Sequence, residues 1–138
     1  MLSSMRTGNW DEGTVFDGGV TTYTIDVQPG DPELKITLAW DDVPGTPNIS
    51  PALVNDLDLV VIDPSGTRHY PWTIPLGSPG SPAVKTAEDH LNNIEQVQVD
   101  SPQAGRWMML RDACSCRRSR ATPRVISRVP FPASRRSS

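Results

Sequence analysis

Apolar and polar residues alternate along several stretches of the chain. In Val20–Val27, "VTTYTIDV", Tyr23, Ile25 and Val27 fall on one side and Thr22, Thr24 and Asp26 on the other. In Glu33–Trp40, "ELKITLAW", Leu34, Ile36, Leu38 and Trp40 alternate with Glu33, Lys35 and Thr37. Successive side chains of an extended backbone point to opposite sides, so a period of two marks a strand with one buried face. The turn residues "QPGD" between the two runs predict an antiparallel pair joined at Pro29-Gly30. A proline-rich loop, "DDVPGTPNISPA", follows and leads into "LVNDLDLVVIDPSGTRHY", residues 53–70. There Leu57, Leu59 and Val61 alternate with Asp56, Asp58 and Val60, and "DPSG" ends the strand. Shorter strands are predicted at 68–72, at 92–99 ("NNIEQVQV") and from Arg106 onward. No stretch has the 3.6-residue period of a helix. Short strands separated by turn residues predict an all-β fold, an antiparallel β-sandwich with jelly-roll-like topology spanning residues 19–110.

The pattern breaks after Trp107. Trp107 and Met109 call for an apolar residue at position 111, where Arg111 stands. Residues 111–138 are rich in Arg, Ser and Pro and lack the apolar content of a core, so a disordered basic tail and a sandwich truncated of its last strands are expected. The same composition is what GC-rich DNA gives when read out of frame. Residues 1–18 are expected to form a poorly ordered lead-in, and "MLSSMRTGNW" has no apolar run that would make it a secretory signal.

Composition sharpens this picture. Fourteen prolines and ten glycines among 138 residues suit a turn-rich β fold rather than helices. The net charge of −3 conceals a division: residues 1–105 hold four bases against fifteen acids, and residues 106–138 hold nine arginines against Asp112 alone. An acidic body repels nucleic acid and anionic membranes, so neither is an expected partner, and it attracts cations. No apolar run approaches the roughly 20 residues needed to span a bilayer. Both cysteines, Cys114 and Cys116, lie in the tail, and one C-x-C pair without a second does not make a zinc site.

Three phrases occur in one order: "LKITLAWDDVPGTP" (34–47), "LVNDLDLVVIDPSGTRHY" (53–70) and "HLNNIEQVQVDSPQAGRW" (90–107). Together they resemble the β-sandwich domain that follows the catalytic domain in secreted subtilisin-like serine proteases, the peptidase S8 family. The similarity extends more distantly to pre-peptidase C-terminal domains and to the P-domain of convertases. It covers roughly residues 19–107, with Val43-Pro44 where the family has a double proline. Segments of the protease bearing its serine, histidine and aspartate are not found.

The resemblance implies a non-catalytic accessory domain of an extracellular endopeptidase. Such a domain packs on its catalytic domain, stabilises it and meets protein substrate only indirectly. It also implies that the loops bearing the acids meet at one end of the sandwich, and related domains often bind calcium. Calcium takes six to eight oxygens, and Asp42, Asp56, Asp58, Asp89 and Asn93 are the candidate ligands. The competing reading is that these side chains cap turns by bonding to backbone N–H groups. No catalytic residues are expected, because His69 and His90 sit in no recognisable motif. Trp40 and Trp107 are expected in the core and Trp72 on the surface. A free-standing carbohydrate- or protein-binding module is the alternative function.

Overall fold

The computed structural model describes residues 10–14, 18–48, 52–113 and 124–128. Eight strands account for about half of them: β1 (Trp10–Thr14), β2 (Val20–Val27), β3 (Glu33–Trp40), β4 (Leu57–Ile62), β5 (Arg68–His69), β6 (Ile94–Asp100), β7 (Gly105–Ala113) and β8 (Arg124–Arg128). They form two four-stranded antiparallel sheets, ordered β1-β8-β3-β6 and β2-β7-β4-β5. The pairs β1·β8, β2·β7, β3·β6 and β4·β5 nest inside one another, as if one long hairpin had been wrapped into two layers. That order is a jelly roll. No helix among the described residues is long and apolar enough to cross a membrane.

The inward faces of both sheets build one core. Leu34, Ile36, Leu38, Trp40 and Val97 come from the first sheet; Val27, Leu57, Leu59, Val61, Trp107 and Met109 come from the second. Each of these runs follows the alternation in the sequence. The pairing of β2 with β3 does not. The two strands lie in different sheets, so residues 28–32 cross between layers instead of closing a hairpin. Alternation says which face a strand buries but not whether its neighbour in sequence lies beside it or opposite it.

β7 runs past the expected break to Ala113. Arg111 keeps the inward phase of Trp107 and Met109, is 1% exposed, and lays its guanidinium 4.3 Å from the centre of the Tyr23 ring while donating to the Tyr23 hydroxyl. An arginine has an apolar stem and a flat head that stacks on aromatic faces, so it occupies an inward position that alternation assigns to an apolar residue. β8 then enters the first sheet between β1 and β3. The last strands expected to be missing after Trp107 are therefore present. Residues 114–123 and 129–138 of the expected tail lie outside the described residues, as do 1–9 and 15–17 of the lead-in.

β5 is shorter than the sequence implied, with two residues paired only to Val61 and Ile62. This leaves the start of β4 without a strand on that side. Asp58 and Val60, on the face opposite Leu57 and Leu59, are nonetheless buried. β4 is covered on both faces, and the candidate chemistry gathers at its uncovered edge.

Candidate functional site

Two acids place the loops around this edge. Asp42 lies just beyond the end of β3, and its carboxylate accepts the N–H groups of Val43 (3.0 Å), Val54 (2.8 Å) and Asn55 (3.0 Å) and the side-chain amide of Asn55 (2.8 Å). The loop returns close to itself: a Cβ on Gly45 would sit 2.6 Å from the carbonyl oxygen of Ala52. The Trp40 indole N–H donates to the carbonyl of Asn55 at 3.0 Å. Asp89 plays the same part in the later loop, accepting the N–H groups of Leu91 (2.9 Å) and Asn92 (3.3 Å) and the Asn92 amide (2.8 Å). Asn93 donates its amide to the Trp40 carbonyl at 3.0 Å.

Asp56 and Asp58 form a centre of their own with His90. His90 Nδ1 lies 2.9 Å from Asp56 Oδ2 and 3.2 Å from Asp58 Oδ1, and one donor atom from each residue falls within 4.8 Å of the others. Asp58 is nearly enclosed, Asp56 is half-buried and the His90 ring reaches solvent. Burial raises the Asp58 carboxyl to about 7; the His90 ring opposes that rise, while Asp56, Glu88 and Asp112 add to it. Burial raises Asp56 as well, again against the pull of His90. For His90, burial disfavours the imidazolium, but Asp58 and Asp56 outweigh it and hold the ring's pKa above its ordinary value.

Behind this centre lies Glu95, which shares the inward face of β6 with Val97 and is 1% exposed. Its Oε2 accepts the N–H of Leu59 at 2.7 Å. The carboxylate thus serves a backbone donor on β4 beyond the end of β5. Burial drives the Glu95 carboxyl to about 9; the Leu59 bond opposes this, and Asp58, Asp89 and Asp56 reinforce it.

Of the five residues expected to hold calcium, only Asp56 and Asp58 share a centre. Asp42 and Asp89 accept backbone N–H groups and neighbouring amides, and Asn93 donates its amide to a backbone carbonyl. Calcium takes six to eight oxygens, of which Asp56 and Asp58 bring two carboxylates to this centre beside an imidazole. Sequence reasoning passed over His90 as a ligand, because 34 positions separate it from Asp56. Glu95 left a trace: it is the acid on the inward phase of "IEQVQV".

Away from this edge, Asp63 accepts the Ser65 hydroxyl (2.6 Å), the N–H groups of Ser65 and Thr67 (both 2.9 Å) and contacts His69 Nε2 at 3.1 Å. Gly66, at φ 91°, completes this turn. A serine, an acid and a histidine are thus gathered with the carboxylate in the middle. Nucleophilic activation needs the base next to the hydroxyl; this order holds a turn and anchors a ring. Trp40 and Trp107 are in the core, whereas Trp72 is 39% exposed with Lys85 Nζ 4.5 Å from its ring centre.

Compared with models of known protein families and with curated protein sequences, the chain matches none.

Proposed function

We propose that the chain is the non-catalytic β-sandwich accessory domain of a secreted subtilisin-like serine endopeptidase, packed on the catalytic domain and holding it in its active shape. The observation that carries this reading is the way the three phrases interlock. Asp42 and Trp40 of the first phrase bond to Val54 and Asn55 of the second. Trp40 also exchanges bonds with Asn93 of the third, and Glu95 of the third bonds to Leu59 of the second. Residues that carry the resemblance in sequence are thus those that pin one end of the sandwich. An exposed apolar groove lined by Trp72, Ile74, Leu76, Leu91 and Ile94 supports a packing role, because apolar surface of this kind marks contact sites.

The test begins with the DNA upstream of Met1. A frame encoding a subtilisin-like catalytic domain is expected there. That domain, produced with and without this chain, should lose activity several-fold more slowly at elevated temperature when the chain is attached. An upstream frame with no protease, or equal inactivation half-lives, overturns the reading.

A further inference from the structure

We propose that Asp56, Asp58 and His90 bind a divalent transition ion of the zinc class, through two carboxylate oxygens and the imidazole Nδ1. This goes beyond the accessory-domain reading and does not depend on it. The three donor atoms already converge within 4.8 Å of one another. Three protein ligands with a fourth position open to water is a familiar arrangement for zinc, and the half-exposed His90 ring places that opening toward solvent.

The second observation concerns unsatisfied oxygens. Asp56 Oδ1 and Asp58 Oδ1 are both buried without a hydrogen-bond donor, and Asp58 is only 4% exposed. Asp58 Oδ1 faces His90 Nδ1 at 3.2 Å, but the ring's hydrogen bond goes to Asp56 Oδ2. Buried polar oxygens are normally satisfied, and each exception asks for an explanation. Two aspartate oxygens lacking donors beside one imidazole are what a cation relieves at once. Glu88, Asp89 and Asp112 add negative field from the surrounding elements.

The donor set then selects the ion. Calcium and magnesium take oxygen ligands, whereas imidazole favours zinc, nickel, copper and iron. A nitrogen between two carboxylates therefore discriminates against calcium.

The experiment uses the full chain carrying Cys114→Ser and Cys116→Ser, so that thiolates do not contribute. Cobalt(II) is the probe, because its visible absorption reports a low-coordinate nitrogen–oxygen site. Titration is expected to produce that absorption, zinc to abolish it by displacement, and millimolar calcium to leave it intact. His90→Ala should weaken cobalt binding by at least about tenfold, while His69→Ala should not. Asp56→Asn, which preserves size, should also weaken it. The His90→Ala chain is checked for a cooperative unfolding transition in chelator, which separates lost ligation from lost fold. Absence of cobalt absorption, equal binding by His90→Ala, or displacement by calcium as readily as by zinc overturns the proposal; the imidazolium alone then serves the two carboxylates.

Discussion

The carboxylate of Glu95 on β6 accepts the backbone N–H of Leu59 on β4 at 2.7 Å, joining the two sheets where β5 has run out. A side chain thus stands in for a strand. Burial disfavours the charged form of an acid in this position and holds its proton on up to about pH 9.

A pH dependence follows from this. In the unfolded chain the Glu95 carboxyl ionises near its ordinary 4.5, and in the folded chain near 9. Between those values unfolding releases a proton, so stability is fullest below about 4.5, falls as pH rises and has lost this contribution above about 9. Glu95→Gln keeps an acceptor for Leu59 without the ionisation. Urea unfolding in chelator should show the variant more stable than the parent by ~1–3 kcal/mol at pH 8 and little different at pH 4. A variant less stable at pH 8 contradicts the assignment.

Asp42 gathers four donors from three residues across a loop. Asp42→Ala leaves those donors to find water or go without, and should cost about 2–3 kcal/mol in thermal unfolding. Asp42→Asn should cost less, since one amide oxygen still accepts. A loss below about 0.5 kcal/mol for the alanine variant would show that the loop is held by something else.

The turn at Asp63 gives the opposite pH signature. Its carboxyl titrates well below the usual range, chiefly because the Ser65 hydroxyl bonds to it, with Thr67, His69 and the Ser65 N–H contributing. A depressed pKa means stability present above the ordinary carboxylate value and lost as pH falls through the folded one. Asp63→Asn should lower the melting temperature at pH 6, and the difference should shrink steadily as pH falls below the ordinary carboxylate value of 3.8. Equal melting temperatures at pH 6 would remove Asp63 from the balance.

Arg111 tests whether a core position can be basic. Arg111→Ala removes the stem and the stacked head against Tyr23, and should destabilise by about 2–3 kcal/mol in chemical unfolding, mostly through lost packing. Tyr23→Phe keeps the ring and loses only the hydroxyl, so about 1 kcal/mol is expected. If the alanine variant is as stable as the parent, β7 does not depend on this residue.

Strands such as β2 and β3 were legible in the sequence because each buries one face, and one buried face imposes a period of two. Leu34, Ile36, Leu38 and Trp40 carry that period without a break, and all four are in the core. Partnership was harder to read, because β2 and β3 each bury one face whether they lie side by side or in opposite layers. β7 was obscured by one residue: Arg111 reads as solvent-facing by type, yet it points inward with its guanidinium over the Tyr23 ring. At the site, the sequence showed Asp56 and Asp58 on one face, but it had no means of placing His90 beside them. Loop closure across tens of residues leaves no local periodicity.

The insertion of β8 between β1 and β3 has a consequence for the birth of the molecule. A ribosome delivers residues in order, so the first sheet stays unfinished until synthesis has passed Arg128. Until then the edge of β3 at Thr37–Trp40, which later pairs with β8, is open, and open edges recruit other chains. A nascent chain stalled before that point would display a sticky half-built layer.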